Sequence, residues 1–115
     1  MTTYNFPDHV KGNTFKSREF QVLQNDAPVD ITDYTINMHL KHRKGDDEEI
    51  VFDFADHIEI HEPEEGKFKI NDVNIDIPAW RYYYDILFQK QDDEFTYLSG
   101  IFQVIKKVTN IIPED

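Results

Sequence analysis

"NDAPVDITDYTINMHLK", residues 25–41, is the stretch on which the fold of this chain turns. Its second half alternates Ile36, Met38 and Leu40 with Asn37, His39 and Lys41, and strict period-2 alternation marks a strand with one face in a core and the other in water. A strand is therefore predicted from near Tyr34 to His42. The first half does a different job. Asn25 and Asp26 are turn formers that bond their own backbone, and Pro28 has no N–H to give to a ladder, so it belongs at a strand start or on an edge. Asp30 and Thr32 can both bond neighbouring backbone, which makes "PVDIT" a clip carrying the chain through a corner into the strand.

The same alternation recurs on either side. Upstream, "TFKSREFQVLQ" (residues 14–24) has Phe20 and Val22 in one phase and Phe15 in the other, a slip that a bulge would explain. Downstream come "IVFDF" at 50–54, "HIEIH" at 57–61, a turn around Pro63 and Gly66 leading to Phe68 and Ile70, and "NDVNIDIP" with Val73, Ile75 and Ile77 in phase. "RYYYDILFQ" then sets Tyr82, Tyr84, Ile86 and Phe88 on one face, and "QDDE" turns the chain into "FTYLSGIFQVIKKVT". No segment keeps a 3.6-residue period. About seven to nine short strands separated by polar turns is the layout of a β-sandwich or a barrel.

Bulk properties bound what such a domain can do. A chain of 115 residues is predicted to be one domain with one core. It carries 12 basic and 23 acidic residues, a net charge of −11, which argues against partners held through phosphates, so no nucleic acid is expected. Nor is a membrane partner expected, because no run of about 18 apolar residues occurs, and the start "MTTYNFPDHVKG" lacks the layout of a signal peptide. Cysteine is absent, which removes disulfides and thiolate metal sites and fits synthesis in a reducing cytoplasm. The acidic runs Asp46–Glu49, Glu62 to Glu65 and Asp92–Glu94 each fall at a predicted loop and read as solvated tips at the ends of the sandwich.

Four motifs occur in a telling order: "GNTF" at 12–15, "NDAPVDIT" at 25–32, "YYYDI" at 82–86 and "LSGIFQVIKKVT" at 98–109. In this order the chain resembles the immunoglobulin-like N-terminal domain of the phage baseplate upper protein and related tail and virion modules, over nearly its whole length. Pro28, Asp30 and Thr32 match that family's corner, Tyr84 and Asp85 its penultimate strand, and Gly100, Phe102, Val104 and Thr109 its last. These are structural positions, and the resemblance implies no chemistry from them. Asp26-Ala27 stands where the family often has a glycine turn, and Asp33-Tyr34 replaces its usual Gly-Ala. The resemblance implies an immunoglobulin-like antiparallel sandwich made in a bacterial host cytoplasm and carried in the virion. Its expected partners are other virion proteins, in a homo-oligomer or symmetric lattice.

Reactive chemistry finds little support in the residues. His57 and His61 would lie about 13 Å apart on a strand, too far to share an ion. The only serines, Ser17 and Ser99, sit in no nucleophile context, and phosphate-binding glycine loops are missing. No catalytic residue, cofactor or metal is expected. Surface candidates remain. "GIFQVIKKV" is apolar in both phases, so Ile101 and Ile105 face away from Phe102 and Val104 and offer a partner surface. Tyr4 and Phe6 on a possible N-terminal arm, residues 1–10, and Ile111 and Ile112 on a possible tail, residues 110–115, either dock on neighbours or pack across their own domain. Trp80 and Tyr83 are the aromatic residues available for stacking sugars, the alternative function being a carbohydrate- or host-receptor-binding module.

Overall fold

The computed structural model describes residues 2–108. The chain is all-β and sandwich-like, with two single-turn 3₁₀ segments, Ala55–His57 and Pro63–Glu65, as its helical content among these residues. In chain order the strands are β1 (Thr2–Thr3), β2 (His9–Val10), β3 (Thr14–Phe15), β4 (Arg18–Gln21), β5 (Leu23–Gln24), β6 (Ala27–Pro28), β7 (Thr35–Lys41), β8 (Phe52–Asp53), β9 (Ile58–Ile60), β10 (Lys67–Ile70), β11 (Val73–Asn74), β12 (Trp80–Lys90) and β13 (Asp93–Ile105). Only β7, β12 and β13 exceed four residues, so the fold is built on three long strands rather than on evenly short ones.

Those three form the heart of a six-stranded sheet in the order β1-β13-β12-β7-β8, with β2 also on the outer edge of β13. The opposing layer is the antiparallel trio β4-β10-β9, supplemented by the β3–β11 ladder and the β5–β6 hairpin. Aromatic pairs tie the layers together: Phe68 meets Phe88 at 5.5 Å between centroids, and Phe15 meets Phe102 at 5.8 Å. Alternation has its predicted effect. Ile36, Met38 and Leu40 of β7 and Tyr82, Tyr84, Ile86 and Phe88 of β12 are all buried between the layers. Removing one such side chain from water stabilises by about 1.5–3 kcal/mol. The Tyr82 hydroxyl reaches the Pro78 carbonyl at 2.5 Å, so its burial leaves no unpaired polar group.

Two irregularities differ from the sequence reading. The phase slip between Phe15 and Phe20 is a break, not a bulge: Lys16 and Ser17 leave the ladder, Ser17 N–H donates to Asp72 Oδ1 at 2.6 Å, and the two pieces pair with different partners, β3 with β11 and β4 with β10. The bulge lies in β13, where Ile86 pairs with Leu98 but Leu87 with Thr96, leaving Tyr97 as the extra residue. The bulge lets Tyr97 turn inward against Phe68 and Phe88, with its hydroxyl donating to the Gln21 carbonyl at 2.9 Å.

The sheet is antiparallel except at one edge. The N-terminal segment runs parallel to β13, pairing Thr2 and Thr3 with Leu98 and Ser99, and His9 and Val10 with Val104 and Ile105. Between these pairings the N–H groups of Tyr4 and Phe6 donate to the carbonyls of Ser99 and Ile101. Pro7, which cannot donate, interrupts this edge strand where an edge tolerates it. Gly100 permits the close approach: a Cβ there would run into the Tyr4 carbonyl, which is backbone and cannot swing aside.

The corner read from residues 25–32 has a definite geometry. Asn25 and Asp26 both carry positive φ, 53° and 65°, the requirement of a type I′ hairpin turn between β5 and β6. Asp30 Oδ1 accepts from the Thr32 N–H at 2.9 Å and from its hydroxyl at 2.5 Å. Between them Ile31 is fully buried, its N–H donating to the Pro63 carbonyl, and Asp33 turns the chain at φ 68° into β7.

Candidate functional site

Residues of β12 that point away from the core form the floor of a groove on the outer face of the large sheet. The cross-strand register sets it out in rows. Tyr83 lies between Lys41 and Ile101; Asp85 lies between His39 and Ser99; Leu87 lies between Asn37 and Thr96. One wall is the connection between β7 and β8, from Arg43 to Ile50, and the other is the N-terminal segment through Thr3 and Asn5. The space between them, open to solvent on one side, measures about 830 Å³.

Each wall is held in place. Lys41 Nζ donates to the Gly45 carbonyl at 2.9 Å, drawing the connection back toward the sheet. On the other side Asn5 Oδ1 accepts from the Ile101 N–H at 3.0 Å, and the Tyr84 hydroxyl, from the opposite face of β12, donates to the Tyr4 carbonyl. Burial is the main cause pushing the Tyr84 phenol far above its ordinary pKa, so it remains a donor at any physiological pH.

Charge in the groove is balanced, in contrast to the whole chain. Lys41, Arg43 and Lys44 face it along with Asp46, Glu48 and Asp85. Among the described residues Arg43, Lys44 and these three acids enter no ion pair, whereas His39 Nε2 lies 3.6 Å from Asp53 Oδ1. Lys44 Nζ sits 5.4 Å from the centre of the Tyr83 ring, over its face.

The structure brings some sequence candidates together and separates others. Tyr83 and Ile101 are direct cross-strand neighbours in the groove. Ile105 is half-buried and lies beyond it, at the end of the β12–β13 ladder. Trp80 belongs to the other phase of β12, is 55% exposed, and packs edge-on against His42 at 5.2 Å, so it shares no face with Tyr83 and the two build no common stacking platform. Phe6 is only 5% exposed and fills the seam between the layers, touching Tyr84 and Phe102 on one side and Phe15 and Phe20 on the other. Tyr4 packs edge-on against it, with the Arg18 guanidinium over both rings and donating to the Tyr4 hydroxyl. Residues 2–10 are thus an integral edge of the domain, not a free arm. Ile111 and Ile112 lie outside the described residues.

His57 closes the first 3₁₀ segment and stacks on Phe52, and His61 follows β9 with its Nε2 3.2 Å from Glu19. No group of three or more metal-ligating side chains gathers among the described residues. Sequence reasoning missed the walls. The run Asp46–Glu49 reads as a solvated tip, yet Asp46 and Glu48 face the groove. The legible signal was the outward triplet Tyr83, Asp85 and Leu87, with mixed chemistry on a strand otherwise devoted to the core. Neither a scan against protein-family models nor a search of curated proteins gives a match for this chain.

Proposed function

We propose that this chain is a non-enzymatic structural module of a bacteriophage virion, placed in a tail, baseplate or capsid surface and working through protein–protein contacts. The reading rests first on the ordered motifs from "GNTF" to "LSGIFQVIKKVT" and their resemblance to virion sandwich modules. The observation that carries it is apolar surface left over after the core is complete. At the end of the β12–β13 ladder Trp80 is 55% exposed, Ile105 lies half-buried on the opposite face, and Val108 just beyond is 95% exposed. Apolar side chains concentrated at one end of a small domain are suited to burial against a neighbouring subunit.

Light scattering over a concentration series tests this. A defined oligomer is expected, reduced to monomer by Ile105→Asp with the fold intact. A chain that stays monomeric at every concentration, and also fails to cosediment with virion particles, would overturn the proposal.

A further inference from the structure

We infer that the groove on the outer face of the large sheet is a binding site for a neutral oligosaccharide, seated on Tyr83. Three properties of the groove lead there. Its floor sets the Tyr83 ring beside the aliphatic side chain of Ile101, an apolar patch that suits the C–H face of a pyranose ring, with Leu87 further along the strand beyond Asp85. Its rims carry donors and acceptors in equal measure, Arg43 and Lys44 against Asp46 and Glu48, with Ser99 and Asp85 in the middle of the floor. Its volume, about 830 Å³, falls in the range of sites for small ligands rather than of flat protein interfaces.

The charge balance selects among ligand classes. A phosphorylated or carboxylated ligand would bring negative charge against three acids inside a chain of net charge −11. A polycation would meet Lys41, Arg43 and Lys44. A neutral polyhydroxylated ligand meets neither penalty, because each hydroxyl both donates and accepts and so pairs with either kind of rim group. The rim groups are available for this, since Arg43, Lys44, Asp46, Glu48 and Asp85 enter no ion pair among the described residues. The floor is rigid because it lies on the two longest strands, and Lys44, on its flexible stem over the Tyr83 ring, is the part that a sugar would displace. The site stands apart from the assembly proposal, because neither Trp80 nor Ile105 lines the groove.

The test is an array of short neutral oligosaccharides, followed by titration calorimetry of the best binder. A Kd of about 1 mM or tighter is expected. Tyr83→Ala should weaken binding about tenfold or more, and Tyr83→Phe should change it little. Asp85→Asn, which keeps shape and loses charge, supplies a second variant should Tyr83→Ala unfold, and it too should weaken binding. Three results would each overturn the inference: no neutral glycan bound, binding confined to acidic glycans or to peptides, or affinity unmoved by both Tyr83→Ala and Asp85→Asn in folded protein.

Discussion

The two faces of β12 make an instructive pair, because one hydrogen-bonded ladder serves both. Facing inward, Tyr82 pairs with Phe102, Ile86 with Leu98, and Phe88 with Phe95, whose ring stacks on it at 4.9 Å. Facing outward at the intervening positions, Tyr83 pairs with Ile101, Asp85 with Ser99 and Leu87 with Thr96. The inner rungs are apolar and largely buried. The outer rungs are chemically mixed and are flanked by walls that leave an open groove between them. Period-2 alternation thus divides a single strand between a packed core and the floor of a groove, and a change on one face should register little on the other.

Phe102→Ala gives the sharpest break in that comparison. This ring is fully buried and touches Phe6, His9, Phe15 and Phe54, so it joins the N-terminal edge to both layers. Truncating it should cost about 3–5 kcal/mol in urea unfolding, whereas Tyr83→Ala on the next rung should cost about 1 kcal/mol or less. Equal losses would mean that the outer face is as structural as the inner one.

Gly100→Ala probes the seam where the two faces meet the N-terminal edge. The added methyl collides with the Tyr4 carbonyl, and the segment must move away from β13. A loss of about 1–3 kcal/mol is expected. Amide exchange at Tyr4 and Phe6 should rise together, because their N–H groups donate to Ser99 and Ile101 across that seam. Unchanged exchange with lowered stability would place the strain elsewhere in β13.

What the sequence disclosed follows from how local the signals are. Ile36, Met38 and Leu40, or Tyr82 to Phe88, announce their face because alternation is written within a few residues. The edge role of Tyr4 and Phe6 does not show that way. It depends on a parallel pairing of Thr2 with Leu98 across nearly the whole chain, made in two-residue pieces around Pro7. The slip after Phe15 reads the same whether the strand bulges or breaks, and only its partners, β11 and β10, distinguish the two. For the groove, Tyr83 and Ile101 are legible as outward residues, but the wall from Arg43 to Ile50 follows no period and reads as any acidic loop would. Trp80 and Tyr83 look like one cluster in sequence and are divided by the pleat.

The smallest predicted effect concerns neither face but the corner that feeds β7 into the sheet. Two hydrogen bonds from Thr32, hydroxyl first and then backbone N–H, favour the ionised Asp30 carboxylate and hold its pKa below the usual carboxylate range. A group whose pKa is lower folded than unfolded contributes stability above its unfolded value, and that contribution is lost as pH falls through the folded one. The urea midpoint of the wild-type chain should therefore fall below about pH 4 more steeply than that of Asp30→Asn, with the two curves running parallel above about pH 5. Because Asp30 is fully exposed, the difference in slope should be small. Unchanged affinity of Asp30→Asn for the oligosaccharide proposed for the groove would show that the corner sets the strand's entry without reaching the outer face. A weakened groove would instead tie the position of β7, and with it Lys41 and His39, to this clip.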